Sequence, residues 1–261
     1  MRFLRLVAVF LRVGVMGEAA YPANFLAHIV DSALELGTAL AGLALIFAHT
    51  ATLGGWRSEE LVALVGVYFL VGGVIGLVIQ PGMEQLTESV RDGTLDFTLT
   101  KPEDAQLLVS VWRVEIWKLI DVGLGLVVLG IALARLGQRV GVAQAASFAA
   151  AILAGGVIVY SFWLILATTA FWLVRVENIL VIFQSVYEAG RWPVSIYPGW
   201  LRFALTFLVP VAFAITVPAQ ALAGRLTRPV LFGAAAFAVA LFGAARLFWK
   251  IGVRHYSGAS S

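Results

Sequence analysis

Long stretches with few or no charged side chains constrain this chain more than any other feature of its sequence. The stretch 145–173 holds 29 residues without Asp, Glu, Lys or Arg, and 61–80 holds another 20. A helix of about 20 mainly apolar residues is long enough to cross the hydrocarbon core of a bilayer. Within lipid the backbone polar groups must pair with one another, and a helix satisfies them inside one segment. We therefore expect an all-α integral membrane protein.

The composition agrees with lipid as the surrounding solvent. Hydrophobic residues make up 61% of the 261 residues and charged residues only 13%, whereas a soluble domain has roughly 25% charged residues. The net charge is +3, without a basic tract interleaved with aromatic residues, so nucleic-acid binding is not expected. The sequence has no cysteine, which excludes disulfides and thiolate metal sites.

The apolar stretches predict six transmembrane helices in a single transmembrane domain, 21–261. The expected spans cover about 25–47, 61–80, 114–133, 145–173, 178–195 and 230–248. In the preceding residues 1–20, Arg5 and Arg12 lie two helical turns apart and share a face. Arginines among headgroups, with apolar neighbours in the acyl boundary, are typical of an interfacial helix. A buried or spanning helix is the alternative for 1–20.

An apolar region between the last two expected spans is interrupted by prolines. Pro210 and Pro218 both lie within 198–222. Broken apolar segments are tolerated at membrane depth only where they are buried in protein or line water. The pattern favours a re-entrant hairpin on the extracytoplasmic side, and a seventh span is the alternative.

The distribution of arginine and lysine predicts the orientation, because cytoplasmic loops carry the excess of these residues. With six spans and a cytoplasmic N-terminus, eleven of the 18 basic residues lie inside and seven outside. Both termini are then cytoplasmic. The polar segment 81–112, between the second and third expected spans, lies in the cytoplasm as well.

Motifs that carry enzyme chemistry are missing from the sequence. It contains no GxxxxGK[ST], HExxH or GxSxG pattern. The three histidines, His28, His49 and His255, are far apart and lack the spacing of metal ligands. We expect a chain without a catalytic site, a cofactor or a metal of its own.

The segment 81–112 is patterned rather than irregular. Glu84, Glu88 and Arg91 follow helical spacing, and Gly93 suits the left-handed end of such a helix. We interpret the segment as a structured cytoplasmic elbow; a solvated connector is the alternative.

The elbow contains the pattern Glu88-x-x-Arg91-x-Gly93-Thr94-Leu95-Asp96-x-x-Leu99-Thr100-x-Pro102. In this position the pattern resembles permease subunits of the type-2 ABC exporter superfamily. The interfacial segment 1–20 and the proline-marked segment 191–201 are similar to the same family. The C-terminal residues 256–261 resemble a bacterial branch whose permeases are often encoded as an unequal pair beside an ATPase. The resemblance covers nearly the whole chain.

The resemblance implies an assembly and a set of contact residues. Two permeases, homologous or identical, would associate with two ABC ATP-binding subunits, which would hold the ATP and magnesium, in the lipid of a bacterial cytoplasmic membrane. The elbow would be the coupling helix, and a second contact would follow the fourth span. The residues that would couple to the ATPase are Glu84, Glu88, Arg91, Gly93, Leu95, Arg175 and Glu177.

Four acidic residues within or beside the spans are candidates for the transport pathway or its gate: Asp31, Glu35, Asp121 and Glu188. Ionisable groups at membrane depth usually face a bundle interior or a water path. Pairing inside the bundle or snorkelling is the alternative, and it is favoured for Asp121 because Lys118 lies three residues before it.

Two function classes follow. The leading hypothesis is the permease subunit of an ATP-driven exporter. The alternative is a secondary transporter or channel that works without an ATPase.

Overall fold

The computed structural model of the chain describes residues 22–137, 141–173 and 177–256. Within these ranges the regular elements are helices, which confirms the all-α expectation. The main helices, in chain order, are α1 (Pro22–Phe47), α2 (Ser58–Arg91), α3 (Asp96–Leu99), α4 (Ala105–Ser110), α5 (Ile116–Leu136), α6 (Val142–Phe171), α7 (Glu177–Tyr187), α8 (Gly199–Leu208), α9 (Ala212–Leu222) and α10 (Arg228–His255). The expected interfacial helix 1–20 lies outside the described residues.

Five of these helices are long and apolar enough to cross a membrane: α1, α2, α5, α6 and α10. The pair α8 and α9 passes the same test when taken together, which makes up to six. The chain is therefore a multi-pass membrane protein.

The pair α8–α9 is bent by 83°. The bend falls at Val209, whose backbone is extended, as expected for a residue that precedes a proline. Residues that flank the pair on either side contact the loop between α1 and α2. Trp56 Nε1 donates to Ser195 Oγ at 3.1 Å, and Arg225 Nη1 donates to the Gly55 carbonyl at 2.7 Å. The pair thus begins and ends at the same end of the bundle, while the hairpin expected over 198–222 stays a prediction.

The range 178–195, expected as the fifth span, differs in the structure. Among the described residues α7 covers 11, and after Tyr187 it continues only into a short 3₁₀ turn, Glu188–Arg191. Eleven residues rise about 16 Å, roughly half of the hydrocarbon thickness of about 30 Å. The helical path ends at Trp192, which is extended before Pro193, because a proline disfavours the helical conformation of its predecessor.

The second span also differs from expectation, because α2 continues for 34 residues as far as Arg91 instead of stopping near Pro81. A proline inside a helix leaves the carbonyl four residues earlier without a donor. Here the backbone N–H of Glu115 donates to that carbonyl, on Leu77, at 3.0 Å. A widened π-helical turn, Ile75–Ile79, directly precedes this part of the helix. The first half of the elbow is therefore an extension of the second span.

The elbow has a regular structure and packs against the end of the bundle where α2 ends. Gly93 ends α2 with a φ of 69°, and the N–H groups of Thr94 and Leu95 both donate to the Ser89 carbonyl, at 2.9 and 3.2 Å. Asp104 caps α4 by accepting from two backbone N–H groups of its first turn. The most buried apolar side chains of the elbow are Met83, Leu86, Leu95 and Val109.

α2 lies at the centre of the bundle and touches α5 through glycines. A Cβ built on Gly125 would lie 2.5 Å from the backbone nitrogen of Leu70, and one built on Gly73 would lie 2.7 Å from the backbone nitrogen of Val122. Small residues at such crossings let two membrane helices approach closely. This contact fixes the two helices that carry much of the site described below.

Candidate functional site

A polar cavity of about 140 Å³ lies among α1, α2, α5, α6 and α7. Three of the four acidic candidates line it: Glu35, Asp121 and Glu188. Asp31, one turn before Glu35 on α1, is exposed and is not among the residues that line the cavity. The structure thus brings together most of the acidic residues that the sequence singled out.

An ion pair joins α1 to the turn that follows α7. Arg191 Nη2 lies 2.7 Å from Glu35 Oε1, and the Tyr68 hydroxyl donates to the same oxygen at 3.3 Å. The Arg191 guanidinium also lies over the Tyr68 ring, 5.4 Å from its centroid. Such a cation–π contact adds to the ion pair. The three side chains connect three separate segments of the chain.

Tyr187 extends this connection into the core. Its hydroxyl donates to the Tyr68 carbonyl at 3.2 Å, and the two rings are stacked with centroids 5.2 Å apart. Gly72, one turn after Tyr68, makes room for the Tyr187 ring, which would lie 3.3 Å from a Cβ at that position. We call Glu35, Tyr68, Tyr187 and Arg191 the tyrosine–ion-pair cluster.

A second ion pair lies on the opposite part of the cavity wall. Lys118 Nζ is 2.9 Å from Asp121 Oδ2, and Ser32 Oγ donates to Asp121 Oδ1 at 2.5 Å. Both oxygens of this carboxylate therefore have partners inside the bundle. Pairing, which the i,i+3 spacing favours, describes Asp121 in this structure.

Trp163 is the wall residue whose polar atom is left without a partner. Its side chain is almost fully buried, and its indole Nε1 has no hydrogen-bond acceptor in the part of the chain that the structure describes. A buried donor without an acceptor costs stability, and such groups are often satisfied by a water or a ligand. Among the described residues of the wall, Trp163 thus has a buried N–H donor without an acceptor, and Glu188 has an exposed side chain.

Sequence reasoning missed Tyr68, Tyr187 and Trp163. Each lies in an apolar stretch where an aromatic residue is ordinary core, so no local pattern distinguished it. Arg191 carried a signal, because an arginine directly after an apolar stretch needs a partner or solvent. Its partner could not be identified from spacing, since 156 residues separate it from Glu35.

The elbow residues expected to contact an ATPase fall into two groups. Glu84 and Glu88 are half-buried and Arg91 is exposed, so their charged groups reach the surface of α2. Leu95 is fully buried, and Gly93 forms the left-handed turn. These two residues shape the elbow from inside, and Leu95 is not available for a contact with a partner. Arg175 and the side chain of Glu177 lie outside the described residues, so the second contact stays a prediction.

Phe97 is the prominent side chain at the tip of the elbow. It is 74% exposed and is flanked by exposed polar residues, among them Thr94, Thr100 and Lys101. It is the most exposed apolar side chain among the described residues of the elbow. The sequence-based set of contact residues did not include it.

The far side of the elbow is attached to the last helix. Both nitrogens of the Arg246 fork contact the Asp104 carboxylate, with Nη1 at 2.9 Å from Oδ1. Arg246 Nη1 also donates to Gln106 Oε1 at 2.6 Å. Hydrogen bonding from Arg246 lowers the pKa of Asp104 below its ordinary value. The elbow is thus joined to α10 by a bidentate ion pair as well as to the cavity by α2.

Comparison with known proteins gives one assignment. A family model described as "ABC-2 family transporter protein" matches residues 33–260, which include the cavity, the elbow and the α8–α9 pair. No curated protein matches the chain, and neither does any solved structure.

Proposed function

Because the chain belongs to the ABC-2 family of transporter proteins, we propose that it is the membrane-spanning permease subunit of an ATP-driven exporter. Two ABC ATP-binding subunits, which hold the ATP and magnesium, and a second permease complete the assembly. The assembly lies in a bacterial cytoplasmic membrane with both termini of this chain in the cytoplasm. The observation that carries the proposal is the continuity of α2 from the cavity wall to the elbow.

The proposed coupling runs through α2. Tyr68 and Gly72 line the cavity, and Arg91 ends the same helix at the elbow. Because the Leu77 carbonyl is satisfied by Glu115, Pro81 does not divide the helix into two parts. A displacement of the elbow therefore moves a wall of the cavity. An allosteric device needs such a connection between two sites and two arrangements of the element that joins them.

The tip of the elbow supplies the proposed contact with the ATPase. Phe97 is the exposed apolar side chain there, and Arg91 and Lys101 are exposed nearby. Binding energy at protein interfaces concentrates in a few large side chains that fill pockets, surrounded by a polar rim. Phe97 has the size for such an anchor, and the charged residues form its rim.

The tyrosine–ion-pair cluster is the proposed gate of the pathway. It joins α1 to the segment that leads into α8–α9 and forms one side of the cavity. Opening the pathway requires Glu35 and Arg191 to separate and requires the two stacked tyrosines to part. We also propose that α8–α9 is a re-entrant hairpin, since Ser195 before it and Arg225 after it contact the same loop.

Co-expression of the chain with the ABC ATP-binding subunits of its source organism tests the coupling. Phe97→Ala is expected to lower the amount of co-purified ATP-binding subunit and the ATP hydrolysis in proteoliposomes about tenfold, the effect of losing an interface anchor. Phe232→Ala is the matched control, because Phe232 is 71% exposed near the start of α10, at the other end of the bundle. That variant is expected to behave like the unmodified chain.

Two results would contradict the proposal. One is transport of solute by the purified chain alone along an ion gradient, which is the behaviour of a secondary transporter. The other is an equal loss of co-purified ATP-binding subunit with Phe97→Ala and Phe232→Ala, which would show that the elbow is not the contact with that subunit.

A further inference from the structure

A second cavity, separate from the pathway, lies between α1, α2 and α5 at the end of the bundle where α1 ends and α2 begins. Its volume is about 320 Å³, roughly twice that of an apolar cavity of about 150 Å³ that accepts a benzene molecule. Most of its wall is aliphatic or aromatic, including Leu40, Leu43, Phe47 and Val62. All of these residues belong to helices long enough to cross a membrane. We call this cavity the α1–α2–α5 groove. Because the helices that form it are apolar, acyl chains rather than water are expected around it.

Two of the described residues that line this groove are charged, and both lie in a terminal turn of their helix, at what we call the mouth of the groove. Glu59 lies in the first turn of α2, and Arg135 lies in the last turn of α5. The Glu59 carboxylate accepts hydrogen bonds from its own backbone N–H and from Ser58, and it is attracted by Arg57 and, more weakly, by Arg135. Glu59 and Arg135 both line the groove. Within the described ranges, however, Arg135 forms neither a salt bridge nor a hydrogen bond. Its side chain is exposed, and no described residue accepts a hydrogen bond from it.

We propose that this groove binds one acyl chain of a membrane phospholipid whose head group carries a primary amine. The phosphate is held by Arg135, whose planar fork of N–H donors matches phosphate oxygens. The ammonium group is held by Glu59. The depth is appropriate, because the helix ends that carry both charges lie where headgroups meet the hydrocarbon.

The acyl chain, the phosphate and the ammonium group of the ligand are each bound by a different part of the site. An anionic phospholipid with a neutral alcohol in its head group offers the phosphate but no ammonium group for the Glu59 carboxylate. A trimethylated amine carries the positive charge but no N–H donor for that carboxylate. The chemistry at the mouth therefore selects phosphatidylethanolamine over phosphatidylglycerol and phosphatidylcholine.

Native mass spectrometry of the full chain in detergent tests this preference. The chain is incubated with equal amounts of the three phospholipids bearing identical acyl chains, and the bound lipids are counted. Phosphatidylethanolamine is expected to be retained about tenfold over each of the others, the effect of one charge-assisted hydrogen bond. Equal retention of the three lipids, or a preference for phosphatidylglycerol, would overturn the proposal.

Variants separate the contributions of the two charges. Glu59→Gln is expected to abolish the preference for phosphatidylethanolamine, whereas Arg135→Gln is expected to lower retention of all three lipids about tenfold. Arg228→Gln is the matched control, since Arg228 is exposed at the start of α10, and it is expected to change neither quantity. A preference that survives Glu59→Gln would show that the carboxylate does not hold the amine and would overturn the assignment.

A further pair of variants tests the acyl chain without changing any charge. Ala44 lines the groove, so Ala44→Phe is expected to fill it and to reduce lipid retention. Leu45→Phe is the control, because Leu45 is 68% exposed and is not part of the groove wall. Glycerophosphoethanolamine, which has the head group without acyl chains, is expected not to be retained. Retention equal to that of the intact lipid would place binding in the head group alone and would overturn the role of the groove.

Discussion

Arg191 and Glu35 lie 156 residues apart in the sequence and form an ion pair of 2.7 Å. The pair connects the first spanning helix to the short segment before α8. Both side chains keep some exposure, 27% for Arg191 and 41% for Glu35, so the pair is a contact that water can help to open and close. This combination suits a gate better than a permanent structural link.

The ion pair predicts a measurable coupling between its two members. Glu35→Gln and Arg191→Gln are each expected to lower the apparent midpoint of thermal unfolding, and the double variant is expected to cost less than the sum of the two. Because both groups are partly exposed, the coupling free energy is expected to be about 1 kcal/mol or less. Intrinsic tryptophan fluorescence of the detergent-solubilised chain follows the unfolding.

A neighbouring acid provides the control for this cycle. Asp31 is one turn before Glu35, is exposed and forms no ion pair within the described ranges. Asp31→Asn is expected to leave the unfolding midpoint unchanged. Strict additivity of the Glu35 and Arg191 variants would show that the two residues do not interact in solution.

The close contact of α2 and α5 predicts opposite outcomes for two glycines on α5. A Cβ on Gly125 would lie 2.5 Å from the backbone nitrogen of Leu70, whereas a Cβ on Gly123 meets nothing within 4 Å. Gly125→Ala is expected to destabilise the fold by about 1–3 kcal/mol through overpacking. Gly123→Ala is expected to be neutral or stabilising by up to about 1 kcal/mol, because alanine favours the helix. Similar unfolding midpoints for the two variants would contradict the helix contact.

The ion pair between Asp104 and Arg246 predicts a pH dependence. Hydrogen bonding from Arg246 lowers the pKa of Asp104, so the stability it contributes is present above the ordinary aspartate pKa of about 4. That contribution is lost as the pH falls through the lower pKa of the folded state. Since a third of each side chain is exposed, the contribution is expected to be about 1 kcal/mol or less.

The measurement compares the unmodified chain with Asp104→Asn across pH. The difference in unfolding midpoint is expected to be constant from about pH 8 to pH 5 and to shrink below about pH 4. A difference that grows on acidification would show that Asp104 is not a carboxylate paired with Arg246.

The charged face of the elbow predicts an effect on ATP hydrolysis. In the proposed assembly with ATP-binding subunits, charge reversal by Glu88→Lys or Arg91→Glu is expected to lower substrate-stimulated hydrolysis several-fold, because like charges across an interface are repulsive. Arg228→Glu, at the opposite end of the bundle, is expected to have no effect. Hydrolysis that is unchanged by both elbow variants would contradict a charged contact at α2.

Features encoded by neighbouring residues could be predicted from the sequence. The uncharged stretches gave the long helices, because burial in lipid needs about 20 apolar residues in a row. The end of the elbow helix was visible at Asp92-Gly93, where glycine allows the left-handed turn that the structure has. The elbow itself could be recognised from the helical spacing of its charged residues.

Features that depend on distant partners could not be predicted. Where α2 continues past Pro81, the backbone N–H of Glu115 donates to the Leu77 carbonyl. No local sequence pattern predicts this contact. In the same way, the sequence marked Glu35 and Arg191 as unusual but did not pair them. Leu95 seemed available for contact because it belongs to a motif, yet the fold of the elbow turns it completely inward.

The length of α2 makes the elbow sensitive to the thickness of the bilayer. Its 34 residues extend about 50 Å, whereas the hydrocarbon core measures about 30 Å. The helix therefore projects well beyond the core, and a thicker or thinner membrane changes its tilt through hydrophobic mismatch. A change of tilt raises or lowers the elbow relative to the membrane surface. The acyl-chain length of the host membrane therefore influences the height of Phe97 above the membrane surface.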